Sequence, residues 1–226
     1  MKLGALLPTF RNGAADAMAF ADRAVEAGLD GLFAYDHLWP MGSPTRPSLA
    51  PFGLLAAVAK RHNHVIVGPL VARVGLVGTP HLVEQFLTLE RVAPSRVICA
   101  LGSGDKLSAA ENEAYDVARR SADERRALMA ETARELSDRM PVWFGAGNDE
   151  TNRVAREVGA TINVWDASPQ RVREMTMSGE VSWAGPTSSD LAATLNAVRD
   201  AGATWAIFAP DVDVAALRQW RVEHDE

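Results

Sequence analysis

Asp30-Gly31-Leu32-Phe33-Ala34-Tyr35-Asp36-His37-Leu38-Trp39-Pro40-Met41 reads as a short strand that empties into a loop. Leu32 to Tyr35 is an apolar run long enough for one buried strand. The run stops at Asp36-His37, two polar groups that apolar packing does not explain. Pro40, Gly42, Pro44 and Pro47 then break regular structure. A buried strand that delivers a carboxylate and an imidazole into a loop has the form of an active-site strand in a parallel α/β protein. The plainer alternative is that Asp36 caps a turn and His37 packs.

Before this stretch, residues 2–7 form a strand stopped by Pro8. Residues 14–27 form a helix with a stripe of Ala17, Phe20, Ala21, Ala24 and Val25, ended by Gly28. After it, strands are expected at 65–71 (interrupted by Gly68-Pro69), 96–101, 142–144, 161–165, 181–184 and 205–208. Helices are expected at 52–60, 80–92, 150–158, 168–177, 191–201 and 214–220. Ser121 and Glu124 fit a capping box that starts a further helix near residue 122, with Leu128, Thr132 and Leu136 on its buried edge. Regular alternation implies a parallel sheet. Eight strand–helix units predict a compact (β/α)8 TIM barrel of the α/β class with few insertions, one domain spanning 1–226. An open doubly wound sheet is the runner-up.

The chain carries 47% hydrophobic residues, ordinary for a protein with a full core. Its net charge of −6 argues against nucleic acid as the main partner. No apolar run reaches the roughly 20 residues of a membrane helix. Met1-Lys2 leads straight into a strand, without a signal peptide's apolar core, so the expected compartment is cytoplasmic. Cys99, the one cysteine, sits in an apolar run and reads as a buried, inert thiol. The basic residues are 3 Lys and 20 Arg, a bias that genome composition alone can produce.

In a barrel the working residues sit where strands end and βα loops begin. The predicted ends supply Asp36, His37 and Trp39; Leu70, Val71 and Arg73; Gly102, Ser103, Gly104 and Asp105; Gly145, Gly147 and Asn148; and Trp165 with Asp166. Glycine-rich turns after two strands let a planar ligand or a phosphate approach the backbone, or simply make tight βα turns. Asp149 and Glu150 open the helix after Gly147 and would oppose a phosphate there, with Arg153 one turn on as a partial offset. His62-Asn63-His64 has an alternate spacing that metal sites use, but it precedes a strand and no carboxylate or cysteine cluster completes it; no metal is expected. No G-x-S-x-G elbow, Walker loop or G-x-G-x-x-G occurs.

Five ordered segments resemble the luciferase-like monooxygenase superfamily of flavin- and deazaflavin-dependent oxidoreductases. They are Gly-Leu-Asp-Gly-Leu-Phe-Ala-Tyr-Asp-His (28–37), Thr-Pro-His-Leu-Val-Glu-Gln-Phe-Leu-Thr-Leu-Glu-Arg (79–91), Ser-Arg-Val-Ile-Cys-Ala-Leu-Gly-Ser-Gly-Asp (95–105), Pro-Val-Trp-Phe-Gly-Ala-Gly (141–147) and Ala-Gly-Ala-Thr-Trp-Ala-Ile-Phe (201–208). The resemblance implies a (β/α)8 barrel with the cofactor at its C-terminal mouth. It implies Asp36 and His37 against the ring, and a backbone bulge at Leu70-Val71, sometimes with a non-prolyl cis peptide, on the ring's other face. It implies Gly102, Ser103, Gly104 and Asp105 near ring and substrate, and Gly145, Ala146, Gly147 and Asn148 at the ribityl-phosphate tail. His37 and Asp105 are the expected catalytic residues; Arg73 and Trp165 join the cofactor contacts, and Trp39 meets substrate. The Asp-His-x-x-Pro turn at 36–40 resembles the deazaflavin branch, so coenzyme F420 (8-hydroxy-5-deazaflavin) is preferred and FMN is the alternative.

The chain departs from the family in three places. Residues 106–140 are too short for the usual insertion between strands four and five, Ala160-Thr161 replaces an Asp-Gly, and Trp39 stands slightly before a Trp of some deazaflavin members. The expected function is hydride transfer through the bound cofactor to or from a small organic substrate, in a chain that admits a homodimer. Alternatives are a non-catalytic flavin- or deazaflavin-binding protein and an unrelated TIM-barrel lyase or isomerase using Asp36 and His37 as acid and base.

Overall fold

A computed structural model describes residues 1–40, 43–104, 108–145 and 148–224. Among these residues the strands are β1 (Lys2–Leu6), β2 (Gly31–Ala34), β3 (Ile66–Pro69), β4 (Ala72–Arg73), β5 (Cys99–Gly102), β6 (Val142–Gly145), β7 (Thr161–Trp165), β8 (Val181–Gly185) and β9 (Trp205–Phe208). The helices are α1 (Ala15–Glu26), α2 (Pro51–Arg61), α3 (Thr79–Val92), α4 (Ala109–Ala114), α5 (Ala122–Leu136), α6 (Asp149–Glu157), α7 (Pro169–Thr176), α8 (Leu191–Asp200) and α9 (Val214–His224). The strands form one parallel sheet in the order β3-β2-β1-β9-β8-β7-β6-β5-β4.

The expected third strand, 65–71, is cut in two. β3 pairs with β2 and β4 pairs with β5, and the Leu70–Val71 peptide between them is cis and non-prolyl. The sheet closes nearby: Val67 N–H donates to Arg96 O (2.8 Å) and Ile98 N–H donates to Val67 O (3.0 Å). The nine strands are thus a nearly closed barrel with helices between, the TIM-barrel architecture that the alternation implies. The strand expected at 96–101 is regular only from Cys99, with Val97 held by a single bridge to Val67.

Every residue of β2 is buried, as a strand covered on both faces must be. Phe33 points into the barrel and meets Trp143 and Trp205, with ring centroids 5.8 and 5.7 Å away. Leu6, Ile98, Ala100, Ala184 and Ile207 fill the same interior. A Cβ on Gly31 would lie 2.8 Å from Trp205 Cζ3, so the bulk of Trp205 requires glycine there. Each such aromatic contributes about 1.5–3 kcal/mol by leaving water, so the interior is a packed core and not a pore.

The helices follow the same logic. Ala17, Phe20, Ala21 and Ala24 bury one face of α1, and Gly28, at φ +83°, ends it. Both capping-box bonds of α5 form, Glu124 N–H to Ser121 Oγ (3.2 Å) and Ser121 N–H to Glu124 Oε2 (2.7 Å). Its buried edge is Met129, Thr132, Ala133 and Leu136; Leu128 is only partly covered. α4 was not expected. It lies in the charged connection after β5 and carries no apolar stripe. Among the described residues no helix is long and apolar enough to cross a membrane.

Candidate functional site

β2 ends at Ala34, and the next residues stand on the C-terminal rim. Asp36 Oδ2 accepts the Arg73 backbone N–H at 2.8 Å, which ties the β2 loop to the half-strand beyond the cis peptide. Burial pushes the Asp36 carboxyl above the ordinary aspartate value, against the lowering pull of that N–H bond and the Arg73 charge. Tyr35 is pushed up to about 12, first by burial and then by the charge of Asp211, so its phenol stays protonated.

His37 Nδ1 lies 2.9 Å from Oε1 of Glu111, a fully buried carboxylate on α4. Glu111 Oε2 accepts the Leu38 N–H at 3.3 Å. Arg73 Nη2 is 2.8 Å from the same oxygen, yet makes no hydrogen bond with it: the approach is close but lies off its N–H directions. The attraction there is therefore charge–charge. Arg73 is 6% exposed, its Nη1 donates to Asn112 Oδ1 at 3.3 Å, and its Nε has no partner. Since a carboxylate only accepts, His37 carries its proton on Nδ1 when neutral, which leaves Nε2 as an acceptor.

The other expected residues divide into several environments. Leu70 is buried in the barrel interior, whereas Val71 projects across β5 and β6. A Cβ on Gly102 would fall 2.2 Å from Val71 Cγ2, and one on Gly145 would fall 3.0 Å from Cγ1. Glycine at both positions thus has a reason in this chain's own packing. Gly104 has φ +70°, and the carbonyls of Ser103 and Gly104 accept from Arg125 Nη1 at 2.7 and 2.9 Å. Asn148 caps α6, its Oδ1 accepting the Thr151 N–H at 2.9 Å. Arg153 pairs with Glu150 at 3.5 Å and with Glu157 on its own helix, a partial offset to the acidic first turn. Trp165 is half exposed, 6.3 Å from the Tyr35 ring, which in turn stacks on Phe10 at 5.5 Å. Trp39 is only 8% exposed and packs against Tyr115 at 5.5 Å. Asp105, Ala146 and Gly147 lie outside the described residues.

Asp36, His37, Val71, Arg73 and Gly102 therefore meet at one rim, and the residue that organises them is Glu111. Reasoning from sequence missed it. Ala109-Ala110-Glu111-Asn112-Glu113-Ala114 holds two glutamates, and nothing local tells the buried one from the exposed one. On the opposite face, His62 Nε2 sits 2.9 Å from Asp22 Oδ1 and is part of a surface cluster with Arg61. No group of three or more His, Cys, Asp or Glu is placed to hold a metal among the described residues.

The family profile described as luciferase-like monooxygenase matches residues 1–137, more than half of the chain. The chain belongs to this family. An F420-dependent glucose-6-phosphate dehydrogenase from Kribbella flavida is 33% identical over 99 residues, 42% of this chain and 29% of that protein. The match thus spans under a third of that relative's length. Solved structures share the fold at low identity. An F420-dependent secondary alcohol dehydrogenase in complex with an F420-acetone adduct has TM-score 0.78 and 12% identity, covering 98% of this chain and 97% of that one. The coenzyme F420 dependent tetrahydromethanopterin reductase from Methanopyrus kandleri has TM-score 0.76 and 11% identity, covering 100% and 99%.

Proposed function

We propose that this luciferase-like chain is an oxidoreductase that moves a hydride between a small organic substrate and coenzyme F420 bound at the C-terminal mouth, with FMN as the alternative cofactor. The observation that carries the reading is the buried Glu111 beneath His37, beside the Val71 shelf. F420 dependence in the relatives' names supports the choice of cofactor. The residues fit such a group. Val71 offers an apolar shelf at the rim, and Arg73 holds an unpartnered Nε beside a cleft that Ser103, Gly104 and Asn148 also line.

When bound, a deazaflavin supplies the carbon that accepts or returns a hydride. The chain's own groups handle the proton. Glu111 fixes the His37 ring with Nδ1–H inward, so Nε2 takes up or returns a proton at the substrate. The Arg73 guanidinium lies 2.8 Å from Glu111 and faces it charge to charge. Asp36 holds the Arg73 backbone in place and so ties the shelf to the β2 loop. Trp39 under Tyr115 shields this end of the mouth from water. On the same reading Asp105 and the 145–148 turn contribute to substrate and cofactor contacts, and Trp165 edges the ring site.

A carrier that binds the cofactor without turnover is a second reading, favoured by the cover over Trp39. Absorbance titration of the purified protein with F420 and with FMN tests the cofactor, and steady-state turnover of His37→Ala tests the chemistry. Tight F420 binding with turnover reduced at least about 100-fold in the variant, the scale of a lost acid–base group, is expected. No binding of either cofactor overturns the proposal, and a variant within about twofold of wild type removes His37 from it.

A further inference from the structure

Behind the Glu111 network lies a cleft of about 780 Å³ between the end of β4, the turn after β5, α4 and the start of α5. Among the described residues its charged lining is Arg73, Arg119, Arg120, Arg125 and Arg126 against one carboxylate, Glu113. The chain as a whole is acidic, at −6, so this wall reverses the sign of its surroundings. Arg125 spends Nη1 on two carbonyls, and Arg126 pairs with Asp123. The hydrogen bonds with Ser121, and last the Arg120 charge, hold the Glu124 carboxyl below its ordinary value. Even so, no ion pair or hydrogen bond to another described residue engages the guanidinium of Arg119 or Arg120. The second sign is Arg73, 6% exposed on the cleft wall with Nε unpartnered. A buried guanidinium donor without an acceptor costs free energy that an incoming anion recovers.

We infer that this cleft binds an oligoanion, a ligand segment that carries two or more phosphate or carboxylate groups along a chain. A single phosphate needs one bidentate guanidinium, or two, and occupies a small part of such a volume. Here the guanidiniums are spread over β4, the segment before α5, and α5 itself, so successive anionic groups meet successive arginines. Arg73 is the inner anchor. Arg119 and Arg120, both exposed, read charge more than shape. The segment belongs either to the tail of a cofactor whose ring sits at the mouth or to an anionic substrate. The cleft stands apart from the redox proposal, because simple oligoanions report on it.

The test is calorimetric titration at low salt with inorganic tripolyphosphate and with orthophosphate. Variants are Arg119→Ser/Arg120→Ser, and Arg173→Ser/Arg218→Ser as a control that removes the same charge from exposed positions elsewhere. Tripolyphosphate is expected to bind at least tenfold tighter than orthophosphate. The cleft variant is expected to lose at least tenfold and the control less than twofold. Equal affinity for the two probes, or equal losses in the two variants, overturns the inference. Repeating the titration with F420 present separates the sources. Displacement of tripolyphosphate assigns the cleft to the cofactor tail, and unchanged binding to F420-loaded protein assigns it to the substrate. If neither F420 nor FMN binds while tripolyphosphate does, the cleft stands and the redox proposal falls.

Discussion

The molecule holds two histidine–carboxylate pairs of the same length on opposite faces of the barrel, and they do different things. His37 and Glu111 are 2.9 Å apart at the C-terminal rim; His62 and Asp22 are 2.9 Å apart on the other face. Glu111 is fully buried and shared with Arg73, whereas the Asp22 side chain is 32% exposed and shared with an exposed Arg61. Distance alone does not separate them. Water screens the second pair and leaves it little net worth, as for most surface ion pairs. The first pair has lost its water, so each partner depends on the others, and the cost of removing one is the cost of an orphaned buried charge.

The largest expected effect is at Glu111. Glu111→Ala leaves the Arg73 guanidinium buried with only Asn112 as a side-chain acceptor among the described residues, and should cost about 3–5 kcal/mol in a urea unfolding experiment. Glu111→Gln keeps the shape and should lose less stability while disturbing His37. A loss at Glu111→Ala no larger than that of a surface mutation would erase the contrast between the two pairs.

Gly102→Ala comes next. The added Cβ would sit 2.2 Å from Val71 Cγ2, so strain of about 1–3 kcal/mol is expected, relieved by adding Val71→Ala. Without such rescue, the glycine is there for another reason than the Val71 shelf.

Asp36→Asn is smaller and depends on pH. Burial raises the folded-state value of the Asp36 carboxyl, so its contribution is fully present at low pH and is lost as pH rises. The loss begins near the unfolded aspartate value of about 3.9 and is complete above the raised folded value. The amide has no such dependence. The stability of Asp36→Asn relative to wild type should therefore climb as pH rises above about 4, read from unfolding midpoints at each pH. A flat difference contradicts the burial argument. Smallest of all is Asp22→Asn, which should leave the unfolding midpoint unresolved from wild type. A clear loss there would show that the exposed pair is not screened.

Much of the barrel was legible in the chain because its cause is local. Parallel strands covered on both faces are short apolar runs, and glycines and prolines punctuate them; the Ser121–Glu124 cap needs only its own backbone. Asp36 and His37 were legible for the same reason, as polar groups at the end of an apolar run. Glu111 was not, because its burial is supplied by the β2 loop and Arg73, far away in sequence. The packing of Val71 against Gly102 and Gly145 was not legible, since a side chain crossing from a broken strand leaves no local mark. The break in the third strand is marked locally by Gly68-Pro69, whereas the cis peptide at Leu70–Val71 could be expected only from family resemblance.

The central claim is that Glu111 sets the proton on His37. Nitrogen-15 spectra of histidine-labelled protein test it with no ligand at all, at a pH where the ring is neutral. The account predicts the Nδ1–H tautomer for His37 in the wild type and its loss in Glu111→Met, which fills similar space without a carboxyl acceptor. An Nε2–H tautomer in the wild type, or the same spectrum in both proteins, would contradict it.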